Sequence, residues 1–131
     1  MTRLKVLASL LAMFASTVWM QGQAQFTGKS VTLDGKDLSA ARRHFEAGAR
    51  TYWHSHEHGQ LLLVERGTMR TQKRGQTVRD LGAGESDYTP ANVQHWHGAT
   101  PNEELVQINV GFGGQTKWLE EVSDAEYNAK R

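Results

Sequence analysis

Residues 48–67, GARTYWHSHEHGQLLLVERG, decide how this chain reads. Three histidines, His54, His56 and His58, fall within five residues, and Gln60 follows closely. Side chains on a strand alternate between faces, so His54 and His56 can aim their rings at one point. Neutral imidazole is the commonest metal ligand in proteins. His58 precedes Gly59 and reads as an exposed turn residue. Gln60 then opens the apolar run Leu61-Leu62-Leu63-Val64, which reads as a buried strand. A second cluster, His95-Trp96-His97, comes about forty residues later, far enough to lie on a different strand facing the first. Trp53 and Trp96 read as packing residues that line or cover the same body.

Working outward, the 131 residues fit one domain. The absence of cysteine excludes disulfides and thiolate metal sites, so any metal must be held by His with oxygen or amide donors. The N-terminus reads as a signal peptide: Arg3 and Lys5 precede an apolar stretch from Val6 to Met20, and Gly22-Gln23-Ala24 offers small residues for cleavage after Ala24. This divides the chain into residues 1–24, the signal, and 25–131, the mature domain, exported to the periplasm or beyond. Losing Arg3 and Lys5 takes the 15 basic residues to 13, against 14 acidic ones, a net charge near −1. That balance argues against nucleic acid or an anionic membrane as the partner. Arg42-Arg43 and Lys73-Arg74 read as solvated strand edges or turns.

The rest of the chain reads as short strands punctuated by turns: Ser30–Leu33, Ala40–Phe45, Arg50–His56, Gln60–Glu65, Thr68–Lys73, Gln76–Asp80 beyond the Arg74-Gly75 hairpin signal, Ser86–Thr89, Gln94–Ala99 and Glu104–Val110. Many short strands at such spacing predict an all-β sandwich or barrel. Ser123-Asp124-Ala125-Glu126 has the form of a capping box, which predicts a short C-terminal helix, with Lys130 and Arg131 suited to its C-terminal end.

These residues carry a resemblance. The spacing of Gly48, His54, His56, Gln60 and Gly67 resembles the first motif of the cupins, with Gln60 where that motif has Glu. Gly84, Pro90, Asn92 and His95 resemble the second, with Asn92 where it has Gly; Asn tolerates the left-handed turn conformation that Gly serves. The segments WHSHEHGQLLLV, HWHGATP and KWLEEVSDAEY are similar to the small manganese-dependent cupin hydroxynitrile lyases and their relatives, over about residues 49–127. The resemblance implies a double-stranded β-helix, or jelly-roll barrel, with a short C-terminal helix. It implies one divalent ion on His54, His56, Gln60 and His95, with manganese or iron ahead of zinc. His97 and Gln107 fall at the pocket positions that handle the substrate; the lyases have a His where this chain has Gln107. A homodimer or higher homo-oligomer is implied as well.

The chemistry of such a site follows from its charge. Three imidazoles and a carboxamide are neutral, so a bound dication keeps its full charge, where the usual Glu cancels one unit. That favours loss of a proton from a coordinated hydroxyl and C–C cleavage that expels a stabilised anion, with His97 as acid or base. The first reading is therefore a lyase on a small hydroxylated, cyanohydrin-like substrate. An iron oxygenase of a chelating small molecule and a non-catalytic binding module of the cell envelope are the alternatives, and a sugar isomerase has no specific cue.

Overall fold

In the computed structural model, residues 27–129 are described; the expected signal peptide and its cleavage site, and the pair Lys130-Arg131, lie outside them. The chain divides into a unit ending at Asp34 and a second, residues 35–131. In the first, residues 27–34 contain no strand, so Ser30–Leu33 is not the strand its composition suggested. Val31 and Leu33 stay exposed, and an apolar side chain without a sheet to cover gains nothing from extension.

The second unit is nearly all β. In order come β1 (Ser39–Phe45), β2 (His54–His56), β3 (Gln60–Gly67), β4 (Met69–Lys73), β5 (Arg79–Leu81), β6 (Ser86–Thr89), β7 (His95–Ala99), β8 (Leu105–Gly111), β9 (Thr116–Trp118) and the helix α1 (Asp124–Tyr127). Two antiparallel sheets result, with strand orders β1-β8-β3-β6 and β5-β4-β7-β2-β9. The capping box forms as its sequence demands: Ser123 accepts from the Glu126 amide, and Glu126 accepts from the Ser123 amide.

Alternation along the strands sorts the interior into an apolar end and a polar end. Leu62 and Val64 on β3, Met69 on β4, Leu81, Ala99 and Leu105 form one buried cluster, with Phe45 against it. Further along the inward faces stand Gln60 on β3, His95 and His97 on β7, and Gln107 on β8, all buried. β7 is buried along its whole length because both of its faces are covered. Its outward Trp96 joins Trp53, Val78, Val122 and Tyr127 in a second cluster. The two indoles meet edge to face at 6.5 Å, and the Tyr127 hydroxyl donates to the Ala99 carbonyl at 2.7 Å. The tryptophans therefore pack, as expected of them, and α1 serves to seal the back of the strand that carries two of the histidines.

Differences from the expected strands have local causes. The segment 50–56 is a strand only over β2. Before it, Thr51 donates its amide to the His97 carbonyl, Trp53 donates to Glu120, and the Thr51 hydroxyl takes the His97 amide; the chain is crossing from β7 to the C-terminal tail. β5 begins at Arg79, since the Gln76 amide is spent on the Lys73 carbonyl and the Gln76 carbonyl on the Gln72 side chain. Lys73 is not solvated: it is 14% exposed and donates at 2.6 Å to Asp87, itself 4% exposed, joining the two sheets through the interior. Arg74, its neighbour, lies over the Trp53 ring at 3.9 Å.

Gly98 is needed for a different reason than turn geometry. It bridges to Arg50, and a Cβ there would run into the Ala49 carbonyl and the Arg50 backbone. Gly98→Ala is expected to cost about 1–3 kcal/mol, seen as an earlier midpoint in chemical denaturation with an unchanged slope. An unchanged midpoint would mean that the 49–51 segment yields freely.

Candidate metal centre

β2 delivers His54 and His56, β3 delivers Gln60, and β7 delivers His95 and His97, so the polar end collects side chains from three strands. His54 and His95 are directly paired across β2 and β7, with ring centroids 4.3 Å apart. His56 stands 5.1 Å from His54 and 5.5 Å from His95, and His97 stands 5.3 Å from His54 and 5.8 Å from His95. The potential ligand atoms of His54, His95 and His97 all lie within 4.8 Å of one another. His58 is exposed in the turn. Asn92, in the second motif, has φ 61° and donates its amide to the His56 carbonyl at 2.8 Å, so it takes the glycine-like conformation expected of it.

Proton placement separates these imidazoles. His54 Nδ1 donates to the Tyr52 carbonyl at 2.8 Å, and His95 Nδ1 donates to the Val93 carbonyl at 3.3 Å. A carbonyl only accepts, so in the neutral ring the proton is on Nδ1 and Nε2 keeps its lone pair. Burial holds both rings neutral: it drives His54 down to about 4 and His95 to about 3, where neighbouring His54 adds to the effect. Burial also lowers His56. The His56 Nδ1 meets the Thr116 hydroxyl at 3.0 Å, while its Nε2 is buried with no partner. The His95 Nε2 faces the Gln60 amide oxygen at 3.0 Å. Both atoms offer lone pairs to the same space, beside the buried Nε2 of His56, so the residues present fit a divalent ion.

His97 is different. It is fully buried and held well below its ordinary value, first by burial and then by the surrounding histidines. Its Nδ1 accepts from the Gln107 amide at 3.0 Å, and the same amide nitrogen donates to Asn109 at 2.6 Å. A ring whose Nδ1 accepts carries its proton on Nε2. His97 therefore belongs to the cluster by distance, yet offers a donor where the other three offer lone pairs.

Three neighbours of the site were not evident in the sequence. Thr116 and Trp118 sit on β9, paired with His56 and His54. Thr116 holds His56, and the exposed Trp118 indole tilts over the His54 ring at 4.7 Å. Their two-residue spacing was the available signal, in a strand too short to show a pattern. The third is Lys73, whose charge adds to the depression of His95.

Comparison with known proteins agrees with this fold. The sequence profile of the Cupin domain family matches residues 41–111. An (R)-mandelonitrile lyase of Granulicella tundricola is 30% identical over 112 residues, 83% of this chain and 86% of that protein. Among solved structures, a cupin-like protein from Thermotoga maritima superposes with TM-score 0.69 at 42% identity, covering 72% of this chain and 76% of the other. The DMSP lyase DddQ from Ruegeria pomeroyi shares the fold alone, with TM-score 0.56 at 18% identity over 69% of this chain and 44% of its own.

Proposed function

The chain belongs to the cupin family, and from that premise we propose that it is a metal-dependent lyase of a small hydroxylated, cyanohydrin-like substrate. The observation that carries this reading is the confrontation of His95 Nε2 with the Gln60 oxygen at 3.0 Å, beside the unpartnered Nε2 of His56. His54, His56 and His95 through Nε2, with Gln60 through its oxygen, would hold the ion, and such nitrogen and oxygen donors suit manganese or iron. When bound, the ion supplies a Lewis acid that favours loss of a proton from a hydroxyl oxygen. None of these four side chains brings negative charge, so nothing in the donor set weakens that effect.

In the net reaction the bond between the carbinol and nitrile carbons breaks. The carbinol carbon becomes a carbonyl, the electron pair leaves on cyanide, and the hydroxyl proton ends there too. His97 contributes from the chain's side: its Nε2–H would donate a hydrogen bond to the group on which negative charge develops. Gln107 and Asn109 keep that proton on Nε2. A glutamine cannot itself relay a proton, so Gln107 acts by holding the ring. The name of the relative from Granulicella tundricola supports the choice of substrate, because mandelonitrile is a cyanohydrin.

The test is metal analysis of the purified protein, followed by cleavage of mandelonitrile read as benzaldehyde release. Gln60→Glu retains the ion but cancels one unit of its charge, and is expected to lower kcat/KM by about tenfold or more. Absence of turnover by fully loaded wild-type protein, with mandelonitrile and with a carboxylate-bearing cyanohydrin alike, rejects the lyase. A variant as active as wild type rejects the role given to charge.

A further inference from the structure

We propose that Arg43 binds substrate and that the substrate carries a carboxylate in addition to its hydroxyl. The inference rests on the reading of the His and Gln centre given above and adds the chemical class of what enters it. Its basis is the register of β1 on β8, which sets Phe45 opposite Leu105, Arg43 opposite Gln107 and Ala41 opposite Asn109. Residues directly opposite in an antiparallel pair share a face, with Cβ atoms about 4.5–5.5 Å apart.

That shared face is the one that meets the site. Gln107 holds His97 from it, and the Phe45 ring meets the His97 ring edge-on at 5.9 Å. Arg43, two residues before Phe45 on the same strand, therefore stands on the site's side of the sheet. Arg42 points the other way, where it donates to Glu65 at 2.7 Å. Both arginines are exposed, as the sequence suggested, but the pleat sets them on opposite faces of the edge strand β1.

Arg43 has no carboxylate of its own. Arg42, Arg50, Arg70, Arg74 and Arg79 each have an acidic partner within 4.0 Å, while Arg43 and Arg66 have none among the described residues, and of these two only Arg43 lies opposite Gln107. The result is an exposed arginine in register with Gln107, the residue that holds His97. A neutral substrate would leave that charge unused, whereas a carboxylate matches its planar fork with two parallel hydrogen bonds.

The experiment titrates manganese-loaded protein with mandelate and, separately, with its neutral amide, by calorimetry. Arg43→Gln is expected to weaken mandelate about tenfold or more, while leaving the amide and the affinity for manganese unchanged. Arg42→Gln, on the outer face, serves as the control for bulk charge and is expected to change neither. Equal losses for mandelate and amide in Arg43→Gln, no loss at all, or a matching loss in Arg42→Gln would overturn the proposal. These readouts are independent of turnover: a protein that binds mandelate through Arg43 yet never cleaves a cyanohydrin keeps this inference and loses the lyase.

Discussion

His54→Ala and His95→Ala each lose manganese affinity by more than about 100-fold, whereas His97→Ala keeps it within about tenfold. The two sides of that expectation come from one distinction. His54 and His95 spend Nδ1 on backbone carbonyls and leave lone pairs on Nε2, so removing either ring removes a donor atom. His97 accepts at Nδ1 from Gln107 and has no lone pair left to give. Loss of a residue that only orients a ligand costs roughly 10–100-fold, which sets the boundary between the two outcomes. His56→Ala is expected to fall with the first pair, since its buried Nε2 has no other partner. Equilibrium dialysis against a competing chelator measures all four. A strong loss in His97→Ala with little in His56→Ala would transfer the centre to the triad grouped by distance alone. The same variants separate metal binding from chemistry: His97→Ala should stay loaded and lose turnover, because the donor aimed at developing charge is gone.

Why these roles could be assigned in part from sequence, and where that stopped, is visible in particular residues. His54, His56 and Gln60 were legible because a strand's period of two and a turn at His58-Gly59 fix their directions locally. β1, β3, β4, β6, β7 and β8 were legible for the same reason, as was α1 through its capping box. β9 was not: Thr116–Trp118 has three residues, all exposed, and exists only because β2 offers it an edge. Lys73 was misread, while Arg42 and Arg43 on the edge strand and Arg74 in its turn are exposed as their pairs suggested. A charged pair carries no mark in the sequence of which member turns inward, since that depends on register with a strand far along the chain. Lys73 finds Asp87 across the interior, and Arg43 finds the face of Gln107. The protonation of His97 was illegible on the same ground, for its partner Gln107 arrives on β8.

Metal-free protein loses stability steeply as pH falls from about 6.5 toward 4, and metal-loaded protein resists over much of that range. In the unfolded chain, histidines titrate near 6.5. In the fold, His54 is held to about 4 and His95 to about 3, both chiefly by burial, and His97 is lowered as well. Above 6.5 the rings are neutral in both states and contribute no difference. Below it the unfolded chain takes up protons that the folded chain refuses, so stability rises with pH and is withdrawn as pH falls. Each such histidine withdraws up to about 1.4 kcal/mol per pH unit until its folded value is reached. Two or three acting together draw several kcal/mol from a domain whose whole stability is about 5–15 kcal/mol. A bound divalent ion prefers the same neutral rings, so it adds its binding energy to the folded state alone. Because these rings already stay unprotonated in the fold, its affinity should be nearly constant down to about pH 5, where an exposed histidine site would already be shedding metal below 6.5. Thermal melts with and without manganese at pH 7.5, 6.5, 5.5 and 4.5 give both quantities. Parallel, flat curves would show that the imidazoles are reached by water and protonate in place.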